Sequence, residues 1–168
     1  MGTIKIKFSP SVNIIRDNDY VFNYIPTRNA GHAFNTILND TVLGIKSHVL
    51  IGAYGSGKSS FLLALKQTLE GTHIHFKGFQ KLLNAIPQYE FLSVVGEFTS
   101  FEGYFAKLYQ LGRGYSTSDI IKAIDKQYKA NRKKGKGLVI LVDEFGKFLE
   151  FASKHNPESE LYFIQQLA

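Results

Sequence analysis

Gly52-Ala53-Tyr54-Gly55-Ser56-Gly57-Lys58-Ser59 is the stretch on which the reading of this chain turns. It fits the pattern G-x-x-x-x-G-K-[ST]. The residues before it, 47–51, read as a strand, and those from 58 to 69 read as a helix closed by Gly71. Glycines at 55 and 57 let a loop turn its backbone N–H groups inward around a phosphate, where a side chain would obstruct the turn or the approach. A helix opening at Lys58 adds unpaired N–H groups and the positive end of its dipole. On this reading Gly52, Ala53, Tyr54, Gly55, Ser56, Gly57, Lys58, Ser59 and Ser60 surround a polyphosphate. The Lys58 ammonium reaches the β and γ phosphates, and the Ser59 hydroxyl completes a magnesium shell. The competing reading is a glycine-rich turn with a stray lysine. Chance delivers the pattern in roughly one unrelated chain of this length in a hundred.

A second segment bears on that choice. Leu138-Val139-Ile140-Leu141-Val142 is aliphatic without alternation, the pattern of a strand covered on both faces, and it leads directly into Asp143-Glu144. Ligands of open parallel sheets bind beyond the C-terminal ends of the strands, so two carboxylates delivered there suit a nucleotide site. Asp143 is expected to hold the magnesium ion and Glu144 to polarise a water for in-line attack on the γ phosphate. Alone, the pair reads equally well as an acidic turn that solubilises a strand end.

The remaining punctuation is that of alternating strands and helices. Residues 3–8 alternate like an edge strand, and 20–25 are apolar up to Pro26. Thr27 suits the N-cap of a helix with Ala30, Ala33, Phe34, Ile37 and Leu38 on one face. A short strand is expected over 72–76, a helix over 79–86 and a buried strand over 91–95. Helices follow with Phe101, Tyr104, Phe105, Leu108 and Leu111 on one face and Ile120, Ile121, Ile124 and Tyr128 on the next, the latter capped by Ser116, Thr117 or Ser118. Asn156-Pro157-Glu158 has the cap, the proline and the acid of a helix start. The sum is an α/β layer fold with a mainly parallel sheet.

Composition narrows the function classes. With 168 residues, 44% of them hydrophobic, the chain forms a core, which excludes a disordered or collagenous protein. No window approaches the ~18 unbroken apolar residues of a membrane span, so no membrane partner is expected. The N-terminus alternates apolar and basic residues and lacks the apolar block of a secretory signal. The absence of cysteine excludes a disulfide scaffold, thiolate metal ligation and a cysteine nucleophile; the cytoplasm is the default compartment. A net charge of +6 is moderately basic and compatible with polyanionic partners.

Together, the glycine loop and the aliphatic strand ending in Asp143-Glu144 resemble the Walker A and Walker B motifs of P-loop NTPases with an additional catalytic glutamate. That group includes AAA+, ORC-like and related ATPases. The stretch Asp143-Glu144-Phe145-Gly146-Lys147-Phe148-Leu149-Glu150 also looks like the Walker B region of large bacterial ATPases of anti-phage defence or DNA transactions. No Asn-Lys-x-Asp guanine motif and no Leu-Ser-Gly-Gly-Gln signature is present, which disfavours a GTPase and an ABC-type ATPase.

The resemblance implies a three-layer P-loop domain over residues 26–168; residues 1–25 carry no motif of that group and read as a strand-rich extension. It also implies ATP and Mg2+ as ligands, Lys58 and Glu144 as catalytic residues, and Ser59 and Asp143 as metal-serving residues. In that group a later strand separates the two Walker strands. Only 145–168 follow Glu144 here, and they read as one helix with Leu161, Ile164 and Leu167 on a face. The expectation is therefore an incomplete domain lacking its C-terminal strands, the nucleotide-binding portion of a larger ATPase, with a second copy or a partner chain completing the sheet. Two alternatives stay open: a non-catalytic, nucleotide-gated interaction module, and a kinase-like P-loop phosphotransferase.

Four smaller features complete the reading. The basic run Asn131-Arg132-Lys133-Lys134-Gly135-Lys136-Gly137 is either a solvated loop or a DNA or RNA backbone contact through Arg132, Lys133, Lys134 and Lys136. His73 and His75 alternate on the expected 72–76 strand and lack a third ligand, the pattern of surface residues rather than a metal site. Glu97 and Glu102 read as helix-start acids or as contacts to the nucleotide or a neighbouring subunit. Phe145, Phe148 and Phe151 fit a core better than a stacking platform.

Overall fold

The computed structural model describes residues 12–19, 23–76 and 88–168. The expected strand 3–8 and helix 79–86, and residues 20–22 of the apolar stretch 20–25, lie outside them. The described residues form six helices and a two-stranded parallel sheet, a mixed α/β chain that divides into two compact units, 1–86 and 87–168.

The first unit is helical among its described residues. α1 spans Arg28–Val42, and the Thr27 hydroxyl accepts the Ala30 N–H at 3.2 Å as its N-cap. α2 spans Lys58–Glu70 and stops at Gly71, whose left-handed φ of 75° lets its N–H reach the carbonyls of Gln67 and Thr68. Phe34 of α1 stacks on Phe76 with ring centroids 4.1 Å apart, and Phe61 of α2 meets Phe76 edge-on at 5.9 Å. Of the expected apolar face of α1, Phe34 alone is fully buried.

Two sequence expectations fail in this unit. Residues 47–51 and 72–76 are not strands. A strand exists through its ladder to a neighbour, and no strand is present among the described residues of this unit to supply one. Val49 and Ile51 are accordingly 74% and 93% exposed.

The second unit is built on β1, Gln88–Val95, and β2, Lys136–Asp143, paired in parallel from Gln88↔Lys136 to Val95↔Asp143. Gly137 is the register partner of Tyr89. A Cβ on Gly137 would stand 2.7 Å from the tyrosine ring, so the missing side chain makes room for the aromatic. The crossover from β1 to β2 carries α3, Phe101–Leu108, and α4, Thr117–Lys133. Ser100 caps α3 through the Gly103 N–H at 2.8 Å. Ser116 caps α4 in a reciprocal box with Asp119, which selects one of the three caps open in the sequence.

Residues 145–168 hold two helices rather than one, α5 over Gly146–Lys154 and α6 over Pro157–Leu167, separated by the Asn156 N-cap and Pro157. The core is aromatic. Phe101 lies at its centre, 4.9–5.4 Å from the rings of Phe105, Phe145, Phe148 and Phe163. Each buried phenylalanine contributes about 1.5–3 kcal/mol of transfer free energy, so this cluster is the main anchor of the unit. Phe148 therefore belongs to the core, as its spacing suggested. Leu161 does not belong to the α6 core face: it is 51% exposed, and Glu160 and Phe163 turn inward instead.

Candidate functional site

In the first unit the glycine loop 52–57 leads into α2 as its residue types require. Gly55 and Gly57 have φ of 73° and 85°, left-handed values that other residues adopt at a cost. Gly57 is the N-cap of α2 and offers no side-chain cap, so the first-turn N–H groups are left to other acceptors. Lys58 folds back across the loop, its Nζ donating to the carbonyls of Gly52 and Ala53 at 2.8 Å each. A Cβ at Gly52 would stand 3.0 Å from the Ser56 Oγ, so the missing side chain makes room for that hydroxyl. Ser59 and Ser60 lie half-buried in the first turn, while Tyr54 points fully into solvent. The expected strand ahead of the loop is missing; the expected helix after it is present.

In the second unit Asp143 closes β2 and is buried, and its Oδ1 accepts the Glu144 N–H at 2.9 Å. Glu144 has φ of 51°, turns its side chain outward and forms an ion pair with Lys147 one turn on. The neighbouring strand fixes this turn. The Gly96 N–H donates to the Asp143 carbonyl at 2.8 Å, and a Cβ at Gly96 would overlap the Glu144 carbonyl. Gly96 carried no expectation from the sequence, and Lys147 entered only within the 143–150 resemblance, with no role of its own. A glycine directly after an apolar strand was the available signal for the first, and an i,i+3 charge pair for the second.

The remaining expectations fall as follows. Glu102 sits in the first turn of α3 and accepts the hydroxyls of Thr117 and Ser159. His75 lies with its Nε2 2.8 Å from the Gln67 Oε1, and no group of three metal-ligating side chains occurs among the described residues. Arg132 and Lys133 form the last turn of α4, where cations complement the dipole. Lys134 is its C-cap, and Lys136 opens β2. No helix among the described residues is long and apolar enough to cross a membrane. Comparison of the chain with family models, curated proteins and solved structures returns no match.

Proposed function

We propose that this chain belongs to the P-loop NTPases, binds Mg-ATP at the 52–60 loop and hydrolyses it to ADP and phosphate as the nucleotide-binding portion of a larger ATPase. The observation that carries the reading is the loop itself: two left-handed glycines, an uncapped helix start, and a lysine whose ammonium lies across the loop carbonyls. Inward N–H groups and one ammonium are the donor set that a triphosphate needs. Lys58 exchanges its carbonyl partners for phosphate oxygens, a gain in charge complementarity.

The reading assigns the ion to the Ser59 hydroxyl and the Asp143 carboxylate, hard oxygen donors of the kind that suits magnesium. When bound, the ion neutralises charge on the phosphates. Glu144 is assigned the attacking water. It takes one proton as the water oxygen bonds to the γ phosphorus, and the bond to the ADP oxygen breaks.

Thermal melting with and without Mg-ATP tests the binding. At about 100 times the dissociation constant, ligand adds about 2.7 kcal/mol, a rise of about 5–11 °C at this size. The Lys58→Ala variant should lose that rise, and a parent chain that melts unchanged would overturn the reading.

The ion pair between Glu144 and Lys147 favours a second reading, in which nucleotide is bound and gates an interaction without turnover. Phosphate release by the parent chain separates the two.

A further inference from the structure

The chain's excess positive charge is concentrated on one helix and the turn that follows it. Residues 117–136 carry seven cations and two carboxylates, a net +5 of the chain's +6. Their arrangement on α4 is ordered. At 100° per residue, Lys122, Lys126, Lys129 and Lys133 fall within an arc of about 60°, opposite the buried Ile120 and Asn131. The row is about 16 Å long and straight. All four lysines are exposed. Lys129 and Lys122 are partly neutralised by Asp125 at 2.6 Å and Asp119 at 3.9 Å. Lys126 and Lys133 have no carboxylate partner among the described residues. A shallow hollow on this face is lined by Lys126, Lys129, Lys133 and Lys134, with Asp125 and Ala130.

We propose that this face of α4 is a docking surface for the phosphate backbone of double-stranded DNA. A polyanion with one charge per about 1.7 Å of axis matches a straight row of cations, and lysines act on it as point charges without reading bases. Single strands are held chiefly by aromatic platforms. None lies on the arc: Tyr128, the aromatic of α4, stands about 130° away from its centre. The surface therefore suits a duplex, without sequence preference. It extends the basic run 131–137 back along the helix, and it is independent of the nucleotide reading.

Fluorescence anisotropy with a short labelled duplex of arbitrary sequence, without nucleotide, over about 50 to 200 mM salt tests this surface. The quadruple variant Lys122→Gln, Lys126→Gln, Lys129→Gln, Lys133→Gln should make the slope of log K against log salt shallower by about 3 to 4, and weaken binding at least about tenfold. A control with the same charge change elsewhere, Arg28→Gln, Lys46→Gln, Lys107→Gln, Arg113→Gln, should keep the parent slope. The four Lys→Arg substitutions should keep it as well, which separates charge from folding. A parent chain without duplex binding at the lowest salt would overturn the proposal. So would a control as impaired as the α4 variant, arginines that fail to support binding, or tighter binding of the single strand.

Discussion

The main chain of Glu144 runs directly against Gly96: a Cβ on that glycine would overlap the Glu144 carbonyl oxygen and stand 2.7 Å from its carbonyl carbon. The Gly96 N–H bonds the carbonyl of the preceding residue, Asp143, so the end of β1 holds the acidic turn from one side. Both obstructing atoms are backbone, and no rotamer change relieves the overlap. Gly96→Ala should cost about 1–3 kcal/mol and displace the Asp143–Glu144 turn. Urea denaturation would measure the loss. ATP turnover, where present, should fall by more than the folded fraction accounts for.

Gly57 and Gly31 make opposite predictions for one substitution. A Cβ meets nothing within 4 Å at either position, but Gly57 has φ of 85° and Gly31 lies within α1. Gly57→Ala should cost about 1–2 kcal/mol from the left-handed backbone alone, and should weaken nucleotide binding through the distorted loop. Gly31→Ala should stabilise by about 0.5–1 kcal/mol. Calorimetric melting of the two variants reads both signs.

Lys58 and Glu144 should separate binding from chemistry. Each charge-assisted bond from Lys58 to phosphate is worth roughly 1.5–3 kcal/mol, so Lys58→Ala should lower nucleotide affinity about ten- to a hundredfold per bond. Glu144→Gln keeps the shape, removes the base and should leave affinity unchanged while lowering hydrolysis about 10²–10⁴-fold. Titration with a fluorescent ATP analogue, paired with phosphate release, checks both. Equal turnover by Glu144→Gln and the parent would remove the assigned role.

These sites differ in how far the linear chain reveals them. The glycine loop was legible because its constraints are local: left-handed backbone at Gly55 and Gly57 and a helix after them are properties of adjacent residues. The caps at Thr27, Ser116 and Asn156 were legible for the same reason. Strands stand at 91–95 and 138–142, each longer at its N-terminal end, but within those spans only Val94 and Leu141 are fully buried, less cover than expected. Residues 47–51 end in the aliphatic run Val49-Leu50-Ile51, yet a strand depends on a neighbour that local pattern does not specify. The role of Gly96 depends on the β1–β2 register, and that of Glu160 on how α6 meets α3. Both are long-range facts, invisible to spacing rules.

Glu160 is a buried acid at a helix end. It is 5% exposed, and its Oε2 accepts the N–H groups of Phe101 at 3.0 Å and Glu102 at 3.1 Å, supplementing the Ser100 cap of α3. A carboxylate there meets both the orphan donors and the positive dipole end. Glu160→Ala leaves two donors at the aromatic core without their acceptor and should cost about 2–4 kcal/mol. Glu160→Gln keeps an acceptor oxygen and should lose less, about 1–2 kcal/mol, the charge–dipole part. Denaturation midpoints of the two variants give the ordering; equal losses would assign the effect to charge alone.

His75 gives the first unit a pH dependence of definite sign. Burial, and then the neighbouring His73, hold its pKa below the ordinary histidine value. Its Nε2 lies 2.8 Å from the Gln67 Oε1, and its ring meets Tyr24 edge-on with centroids 6.0 Å apart. The unfolded chain then binds a proton near pH 6.5 that the folded unit resists, so the unfolded state holds more protons below that value. Stability is complete above about pH 6.5, falls as the pH drops toward the folded pKa, and levels off below it. Glu70 acts oppositely: burial raises its pKa, so folding favours its protonated form and gains as the pH falls through that pKa. Comparing parent and His75→Gln cancels Glu70, because both chains carry it. Melting by circular dichroism at pH 7.5 and 5.5 should show a larger drop in the parent, since glutamine does not titrate. Equal drops would place the acid sensitivity elsewhere.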